Sequence, residues 1–512
     1  MRNQLESGLH DLASEQTQTR EKILDSISES RDWQENIIAA IQIAPRPYAE
    51  QDAASSDVQT QFAQFILQQL HFPKLSIREQ RIPVAHQATF QWVFQPPSSD
   101  QKPWTDFGEW LKSESSLYWI TGKPGAGKST LMKFIGTQQL TTDLLQKPTS
   151  RDRPAVARFY SWNSGDKLQK THEGLLRTLV HEVLQQFADL ATKAFPNRWE
   201  LYRLFGVLDT RPIEYPELQR RFEYAIKSSP STQFVFFIDG LDEFQGDHAD
   251  LVDYIRRLSE YSNTKLCVSS RPWNVFEDTF GSTPSLKVED LTYPDLIRFV
   301  ETSFTNSQGY AELRAENEAG AEALMHAVAS KASGGFLWVG LVVKSLLAGL
   351  RDGEKLSRLY DRLDSLPPDL EDLFHKMLSQ ISDDDRKGAS RLFQLVRAAR
   401  EPLTVITLAW ADEDDPKFAV DRAIEPLPAR EKDAKSRRMR RRLKGYCRGL
   451  LEPGQSSTSQ GTVEFLHRTV KDFLYRETVW DEQLSYTPHS FHPNLALCHS
   501  YLLQLDGCGA KG

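Results

Sequence analysis

The chain has 512 residues, more than one ordinary domain contains, so we expect two to four domains. Hydrophobic residues make up 39% of the chain and charged residues 26%, which is enough apolar material for packed cores. The net charge of −8 excludes a general basic field of the kind that draws proteins to nucleic acid.

Signals for export or membrane insertion are weak. Residues 1–19 are polar and lack the apolar segment of a signal peptide, and the longest apolar stretch, residues 336–343, is too short to span a bilayer. The cysteines follow neither a zinc spacing nor a disulfide framework. We therefore expect a cytoplasmic protein without a membrane span.

The N-terminal part of the chain is predicted to be helical. Apolar residues recur at helical spacing through residues 1–43, which indicates an arm that packs on its own chain or, as the less favoured alternative, binds a partner. Residues 44–57 have the composition of a linker, and residues 95–103 that of a hinge. Between them lies an amphipathic helix whose apolar residues are Phe62, Phe65, Ile66 and Leu70.

Residues 117–131, LYWITGKPGAGKSTL, carry the strongest motif. An apolar strand precedes the spacing G-x-x-x-x-G-K-[ST], and a helix follows it. Backbone N–H groups of such a loop surround phosphate oxygens, while its lysine supplies a cation and its serine can bind Mg²⁺. We predict that ATP or ADP is bound by Gly122, Lys123, Pro124, Gly125, Ala126, Gly127, Lys128, Ser129 and Thr130.

Further strands are predicted at residues 155–161, 234–238, 264–269 and, at the sheet edge, 285–288, with a long helix at 168–187. The run FVFFI at 234–238 is continuously apolar, as is typical of a strand buried on both faces of a parallel sheet. Strands that alternate with helices predict a doubly wound α/β domain.

Three carboxylates, Asp239, Asp242 and Glu243, follow the FVFFI strand at the end where open α/β sheets bind ligands. We predict that Asp239 and Ser129 hold Mg²⁺, and that Glu243, with Asp242 as its helper, positions the attacking water. Arg271 follows the next strand and is predicted to contact the outer phosphate. The alternatives are a helix cap for Asp239 and a surface ion pair for Arg271.

No strand is predicted after residue 291. Helices are expected at residues 293–302, 311–332, 336–350 and 369–381, and the apolar face of the third is interpreted as core. Residues 435–448 are rich in arginine. They form either an amphipathic helix with a solvated basic face, which we favour, or a nuclear-import or nucleic-acid patch. Residues 453–461 form a predicted loop and residues 463–475 a helix.

The chain resembles the NACHT-type P-loop NTPases of the signal-transduction (STAND) class, and most of all fungal NOD-like receptors with a nephrocystin-type nucleotide domain. The strongest matches are GKPGAGKST at 122–130 (Walker A), FVFFIDGLDEF at 234–244 (Walker B) and KLCVSSRP at 265–272. Weaker ones are AHQATFQWVF at 85–94, FYSWNSGDKLQKTHEGLLRTLV at 159–180 and GGFLWVGLVVKSLL at 334–347. The resemblance covers roughly residues 60–480.

This resemblance implies a helical domain and a winged-helix-like domain that close over ADP. VEFLHRTVKDFL at 463–474 resembles the stretch whose histidine contacts the ADP β-phosphate, which implies that role for His467. The Gly-x-Pro motif that lines the adenine pocket of relatives falls at Gly335-Phe336-Leu337, where the proline is missing. The effector domain and repeats of relatives are not evident in this sequence.

The fold class we expect is an α/β, doubly wound, parallel-sheet P-loop NTPase (AAA-like/NACHT) domain followed by all-helical and winged-helix-like domains. The predicted domains are a helical arm and linker (1–58), a helical connector (59–103), the NACHT domain (104–290), a helical domain (291–380), a winged-helix-like domain (381–477) and a C-terminal tail (478–512).

For function we expect a regulatory ATPase switch in signalling of the innate-immunity or incompatibility type. It would be closed with ADP, would form a homo-oligomer with ATP, and would act on an unknown protein partner. A slow Mg²⁺-dependent ATPase is expected. One alternative is a nucleotide-stabilised scaffold with little hydrolysis. The other is a P-loop enzyme acting on nucleic acid or a small molecule, and the acidic charge and lack of stacking aromatics count against nucleic acid.

Overall fold

The computed structural model describes residues 56–86, 89–97, 103–146, 153–332, 335–413, 428–454 and 461–505. The arm predicted at residues 1–43 and almost all of the linker that follows it lie outside these residues.

The strands are β1 (Leu117–Thr121), β2 (Ala155–Tyr160), β3 (Phe234–Asp239), β4 (Thr264–Ser270), β5 (Ser285–Lys287), β6 (Leu451–Pro453) and β7 (Val463–Phe465). The helices before β4 are α1 (Ser56–Leu70), α2 (Ile77–Arg81), α3 (Phe107–Lys112), α4 (Lys128–Thr137), α5 (Gln139–Leu145), α6 (His172–Gln186), α7 (Leu190–Ala194), α8 (Pro196–Phe205), α9 (Tyr215–Lys227) and α10 (His248–Ser259).

The helices after β4 are α11 (Asn274–Phe280), α12 (Val288–Leu291), α13 (Tyr293–Thr305), α14 (Gln308–Glu316), α15 (Glu318–Lys331), α16 (Phe336–Arg351), α17 (Leu356–Ser365), α18 (Leu370–Ser379), α19 (Asp383–Ala398), α20 (Val405–Ala411), α21 (Ala429–Tyr446), α22 (Arg468–Leu474), α23 (Glu477–Ser485) and α24 (Pro493–Leu505). Short 3₁₀ turns lie at Gln91–Phe94, Lys167–Gln169 and Leu241–Glu243.

A five-stranded parallel sheet in the order β2-β3-β4-β1-β5 forms the centre of the nucleotide domain. Every residue of β1, β3 and β4 is buried, which explains the apolar runs LYWI in β1 and FVFFI in β3. The short strand β5 lies at one edge, as predicted. The carboxyl ends of β1 and β3 therefore open on the same side of the sheet, and this brings the glycine loop and the acidic motif together.

Helices cover both faces of this sheet. Side chains alternate along β3, so Phe236 and Ile238 join one core with Leu175 and Leu179 of α6. Phe237 belongs to a second core on the other face, which contains residues of α3 and α4. The doubly wound α/β class expected from the sequence is confirmed.

Helices α13 to α17 pack around a separate core that contains Leu296, Leu324 and Leu346. The single helix predicted at residues 311–332 is wrong, because two helices meet at Asn317. The side-chain oxygen of Asn317 accepts the Gly320 N–H at 2.9 Å and caps the start of α15. Asparagine bonds readily to nearby backbone N–H groups, so it starts a new helix there instead of continuing the old one.

The C-terminal region is mainly helical, but it also contains an antiparallel pair, β6 and β7. Thr404, just before α20, forms a further antiparallel bridge with Thr462, so α19, α20 and α21 adjoin a small wing. The helix predicted over residues 463–475 is therefore wrong in its first part, because residues 463–465 form a strand and α22 begins at Arg468. The partner strand is distant in sequence, so local periodicity could not reveal it.

The arginine-rich segment forms α21, whose Met439 and Leu443 are buried while Arg437, Arg438 and Arg441 are exposed. The interpretation as an amphipathic helix with a solvated basic face is confirmed. In the part of the chain that the structure describes, no helix is long and apolar enough to cross a membrane.

Candidate nucleotide site

The glycine loop that joins β1 to α4 has a backbone that only glycine adopts easily at two positions. Gly125 has a φ of 73° and Gly127 a φ of 99°. The first turn of α16 lies directly on them. A Cβ at Gly125 would come 2.8 Å from Leu337, and one at Gly127 would come 3.1 Å from the Phe336 ring. The loop is thus both tightly bent and covered by a C-terminal helix.

Lys128 is held inside this loop. Its Nζ donates to the carbonyl oxygens of Gly122 at 2.6 Å and Lys123 at 3.0 Å. Burial lowers the pKa of Lys128, while the carboxylates of Asp242 and Asp239 oppose that effect. An ammonium carries three N–H donors, and two are used here, so one remains for an oxygen of a bound anion.

Asp239 and Ser129 meet at the end of β3. The Asp239 carboxylate is 1% exposed and accepts hydrogen bonds from the Ser269 hydroxyl at 2.5 Å and from Ser129. Burial raises the pKa of Asp239, and the two serine hydrogen bonds act in the opposite direction. A hydroxyl and a carboxylate side by side are the hard oxygen ligands that Mg²⁺ takes in proteins. The structure brings the two predicted Mg²⁺ ligands together, and their metal role remains a prediction.

Asp242 and Arg271 are paired with each other. The Asp242 carboxylate accepts the backbone N–H of Arg271 at 3.0 Å and lies 3.1 Å from its Nε. The Arg271 Nη2 also donates to Asp472 of α22 at 2.9 Å. Arg271 thus forms an ion pair in this structure, as the alternative interpretation from the sequence held, but the pair is largely buried and does not lie on the surface. The predicted catalytic roles of both residues require the arrangement to open.

Glu243 is the third predicted acid. Its Oε2 accepts the backbone N–H of Asn163 at 3.0 Å, and its Oε1 lies 3.7 Å from Arg468 Nη1. Burial raises the pKa of Glu243, and the charge of Arg468 is the main opposing influence. A carboxyl group whose pKa is raised is a better proton acceptor, as a residue that activates water needs to be.

Arg468 is a contact that the sequence analysis missed. Its Nη1 donates to the Asp242 carboxylate at 2.6 Å and its Nη2 to the Asp242 carbonyl at 2.8 Å. Nearby, Lys471 Nζ donates to Asn163 Oδ1 at 3.1 Å, so the start of α22 lies on the acidic motif. The sequence did contain a signal for this contact. Arg468 is a cation in the first turn of a helix, where it opposes the helix dipole, so a carboxylate partner elsewhere in the chain could have been expected.

His467 is the N-cap of α22. Its Nδ1 accepts the Thr469 N–H at 3.2 Å, which places the ring proton on Nε2 and makes that nitrogen a donor. Burial, followed by the charges of Arg78, Arg271 and Lys128, lowers the pKa of His467 to about 3. The residue is a neutral imidazole beside the glycine-loop lysine, and its contact with a nucleotide remains a prediction.

The departure from the Gly-x-Pro motif has a structural consequence. The Leu337 N–H donates to the Gly125 carbonyl at 3.1 Å, a bond that proline could not make. The Phe336 ring lies 5.7 Å from Phe90, whose backbone N–H donates to Asp295 of α13 at 2.9 Å. An aromatic cluster therefore stands beside the loop, where a base could stack.

Comparison with known proteins agrees with this geometry. The family described as "Nephrocystin 3, N-terminal" matches residues 89–271, from the aromatic cluster to Arg271. This region resembles that family, and it contains the glycine loop, the acidic motif and strands β1 to β4. Residues 380–510, which include α22, match a family described as "Domain of unknown function (DUF7791)". No curated protein sequence matches the chain.

Three solved structures that resemble the chain contain proteins of low sequence identity to it. Cdc6p from Pyrobaculum aerophilum has a TM-score of 0.30 and 11% identity, over 74% of this chain and 91% of that chain. A structure of Drosophila ORC bound to DNA has a TM-score of 0.32 and 12% identity, and the match covers 87% of this chain and 99% of that chain. A STAND protein with a tetratricopeptide repeat sensor from Pyrococcus horikoshii has a TM-score of 0.32 and 13% identity, and the match covers 82% of this chain and 50% of that chain. Likenesses this weak establish neither a shared activity nor a shared partner.

Proposed function

We propose that the protein is a nucleotide-dependent switch that is closed around ADP, opens with ATP, and returns by slow Mg²⁺-dependent hydrolysis. One observation carries this proposal. Two C-terminal helices contact two parts of the phosphate-binding machinery, α16 at the glycine loop through Leu337 and α22 at the acidic motif through Arg468. Such contacts would make the position of the C-terminal region depend on what the nucleotide domain holds.

The residues present fit a nucleoside diphosphate or triphosphate with Mg²⁺. The glycine loop offers backbone N–H groups at the start of α4, and Lys128 retains one N–H donor. Ser129 and Asp239 would hold Mg²⁺, which when bound neutralises developing charge on phosphate oxygens. Phe90 and Phe336 would flank the adenine, and the Nε2–H of His467 would donate to a phosphate oxygen.

The closed arrangement explains why hydrolysis should be slow. Asp242 is bonded by Arg271 and Arg468, so it is not free to order a water molecule. Glu243 lies in the same cluster, with Arg468 3.7 Å away. Withdrawal of α22 would remove the Arg468 guanidinium from both acids, and Asp242 would then keep its contacts with Arg271. A nucleotide drives this opening only if it binds the open state more tightly than the closed one, which we expect of ATP.

Self-assembly of the ATP state, an unknown protein partner and a role in innate-immunity or incompatibility signalling belong to the same proposal. The second candidate is a nucleotide-stabilised scaffold with little hydrolysis. The two arginine contacts of Asp242 favour the scaffold, because this acid could not order a water molecule as long as Arg271 and Arg468 remain bonded to it. Single-turnover hydrolysis of bound ATP separates the two, since a scaffold would retain ATP unchanged.

Nucleotide binding itself is tested by calorimetry with ADP and with ATP·Mg²⁺ on the full chain. We expect Lys128→Ala to abolish tight binding, because it removes the cation inside the glycine loop. Lys112→Ala is the matched control, since Lys112 is exposed and pairs only with Glu109 at 2.8 Å among the described residues. Equal affinities of the Lys128 variant and the wild type would contradict the proposed function.

A further inference from the structure

Arg78 on α2 has a guanidinium that forms no ion pair with a carboxylate among the described residues. Its Nε is buried and has no hydrogen-bond acceptor in that part of the chain. The Arg78 Cζ lies over the Trp162 ring, 5.9 Å from the ring centroid. Arg78 is half-buried, and buried polar atoms in proteins are normally hydrogen-bonded, so the unbonded Nε indicates a site for an anion.

Arg78 lies beside the segment that bonds the acidic motif. The centroid of the Trp162 ring is 5.9 Å from the Arg78 Cζ. On either side of Trp162 in the chain, the Ser161 N–H donates to the Asp239 carbonyl at 3.0 Å and the Asn163 N–H donates to Glu243 Oε2 at 3.0 Å. Consistent with this place, burial lowers the pKa of His467 most, and the charge of Arg78 lowers it more than that of any other residue does. Arg78 therefore adjoins the residues that hold Asp239 and Glu243.

The short helix α2 is fixed to the helix that follows the glycine loop. Lys133 Nζ, on α4, donates to the carbonyl oxygens of Glu79 at 2.7 Å and Ile82 at 2.8 Å. At the same end of this helix, Arg81 pairs with Glu464 of β7 and donates to Thr462 Oγ1 at 3.1 Å. The C-terminal end of α2 is thus bonded both to α4 and to the segment of β7, so Arg78 does not extend from a free loop.

Arg271, which the sequence suggested as the cation for an outer phosphate, already pairs with two carboxylates. Its guanidinium lies 3.1 Å from Asp242 and donates to Asp472 at 2.9 Å. Arg78 has no such partner in the described residues. A planar guanidinium with several N–H donors matches the oxygens of a phosphate better than an ammonium does.

We propose that Arg78 is a ligand of the outer phosphates of the bound nucleotide and completes the cradle formed by the glycine loop and Lys128. This inference rests on the proposed function, since it presumes that a nucleoside diphosphate or triphosphate occupies the loop. Arg78 takes, in the closed state, the phosphate-contacting role that the sequence suggested for Arg271. It also extends the nucleotide site into the segment that precedes residue 89.

The test is calorimetry of the full chain with ADP and with ATP·Mg²⁺, together with the melting temperature of the nucleotide-free protein. Arg78→Gln is expected to weaken both affinities roughly ten- to hundredfold, as loss of hydrogen bonds from a charged group does. Its nucleotide-free melting temperature should not fall, because no ion pair with a carboxylate of the described residues is lost. Arg78→Lys should recover part of the affinity. Lys74→Gln is the matched control, because Lys74 lies on the preceding turn and pairs with Asp166 at 2.9 Å.

Two results would overturn the assignment. One is wild-type affinity in both Arg78 variants. The other is a nucleotide-free melting temperature several degrees lower in Arg78→Gln, which would make Arg78 a structural residue. Lys128→Ala separates this inference from the proposed function. If Lys128→Ala loses binding while Arg78→Gln keeps it, only the role of Arg78 fails, and if neither loses binding, the nucleotide site itself is refuted.

Discussion

Arg468→Gln tests the closed state most specifically. The substitution removes the guanidinium that bonds the carboxylate of Asp242 at 2.6 Å and its carbonyl at 2.8 Å. The Arg468 side chain is 11% exposed and that of Asp242 is 4% exposed, so water screens this pair little. Glutamine keeps part of the length of the side chain while it removes the charge.

The size of the effect follows from what Asp242 retains. Removal of one partner of a buried ion pair typically costs about 3–5 kcal/mol when the other charge is left alone. Asp242 still has the Arg271 Nε at 3.1 Å, so its charge is not isolated. The expected loss is therefore about 1.5–3 kcal/mol, the contribution of hydrogen bonds to a charged group. That loss would change the ratio of open to closed protein roughly ten- to hundredfold.

The assay is the rate of ADP dissociation, measured by displacement of a fluorescent ADP, with sedimentation velocity on the same samples. Arg468→Gln should release ADP faster and sediment as an opened or larger species. Arg476→Gln is the control, because Arg476 pairs with Glu371 on the surface, is 52% exposed, and should contribute about 1 kcal/mol at most. Wild-type release and wild-type size in Arg468→Gln would refute the idea that α22 holds the protein closed.

Three further predictions concern other parts of the site. Glu243→Gln should keep nucleotide affinity and slow single-turnover hydrolysis by about 10²–10⁴-fold, because it removes the acid that orients water, and unchanged turnover would exclude that role. Leu337→Pro removes the N–H that donates to the Gly125 carbonyl, a hydrogen bond that contributes about 0.5–1.5 kcal/mol to the closed state. The variant should therefore release ADP about two- to tenfold faster. Leu337→Ala keeps this N–H and should release ADP at the wild-type rate. The pKa of His467 in the folded protein is about 3, below the ordinary value of about 6.5. The neutral ring therefore stabilises the fold fully above about pH 6.5, and this stability is lost as the pH falls below that value. In urea unfolding of the nucleotide-free chain, His467 should lower the free energy of unfolding by about 1.4 kcal/mol between about pH 7.5 and 5.5, and His467→Gln should lack this part of the decrease; the same pH dependence in the variant and the wild type would contradict the prediction.

The central features of the nucleotide domain were predictable because they are encoded locally. A continuous apolar run such as 234–238 can only be buried on both faces, and a glycine loop between a strand and a helix is a short-range pattern. The acids after that run had to lie beside the loop, because parallel strands end on the same side of the sheet. Sequence reasoning therefore located Asp239 and Ser129 together.

What escaped prediction depends on contacts between segments distant in sequence. Arg468 bonds a residue 226 positions away, and local periodicity carries no information about such a pair. The strand at 463–465 forms only because β6 lies beside it, so its residues fitted a helix until the partner was known. Arg78 belongs to no recognisable motif, and its significance comes from the lack of a partner for its Nε in the described structure.

The most direct test of the switch is sedimentation velocity of the full chain, bound first to ADP and then to ATP·Mg²⁺. The Glu243→Gln variant is used in parallel so that ATP persists through the run. We predict one compact species with ADP and a larger, self-associated species with ATP·Mg²⁺. The same sedimentation coefficient with ADP, with ATP·Mg²⁺ and without nucleotide would contradict the proposal that nucleotide controls the closure of the C-terminal helices.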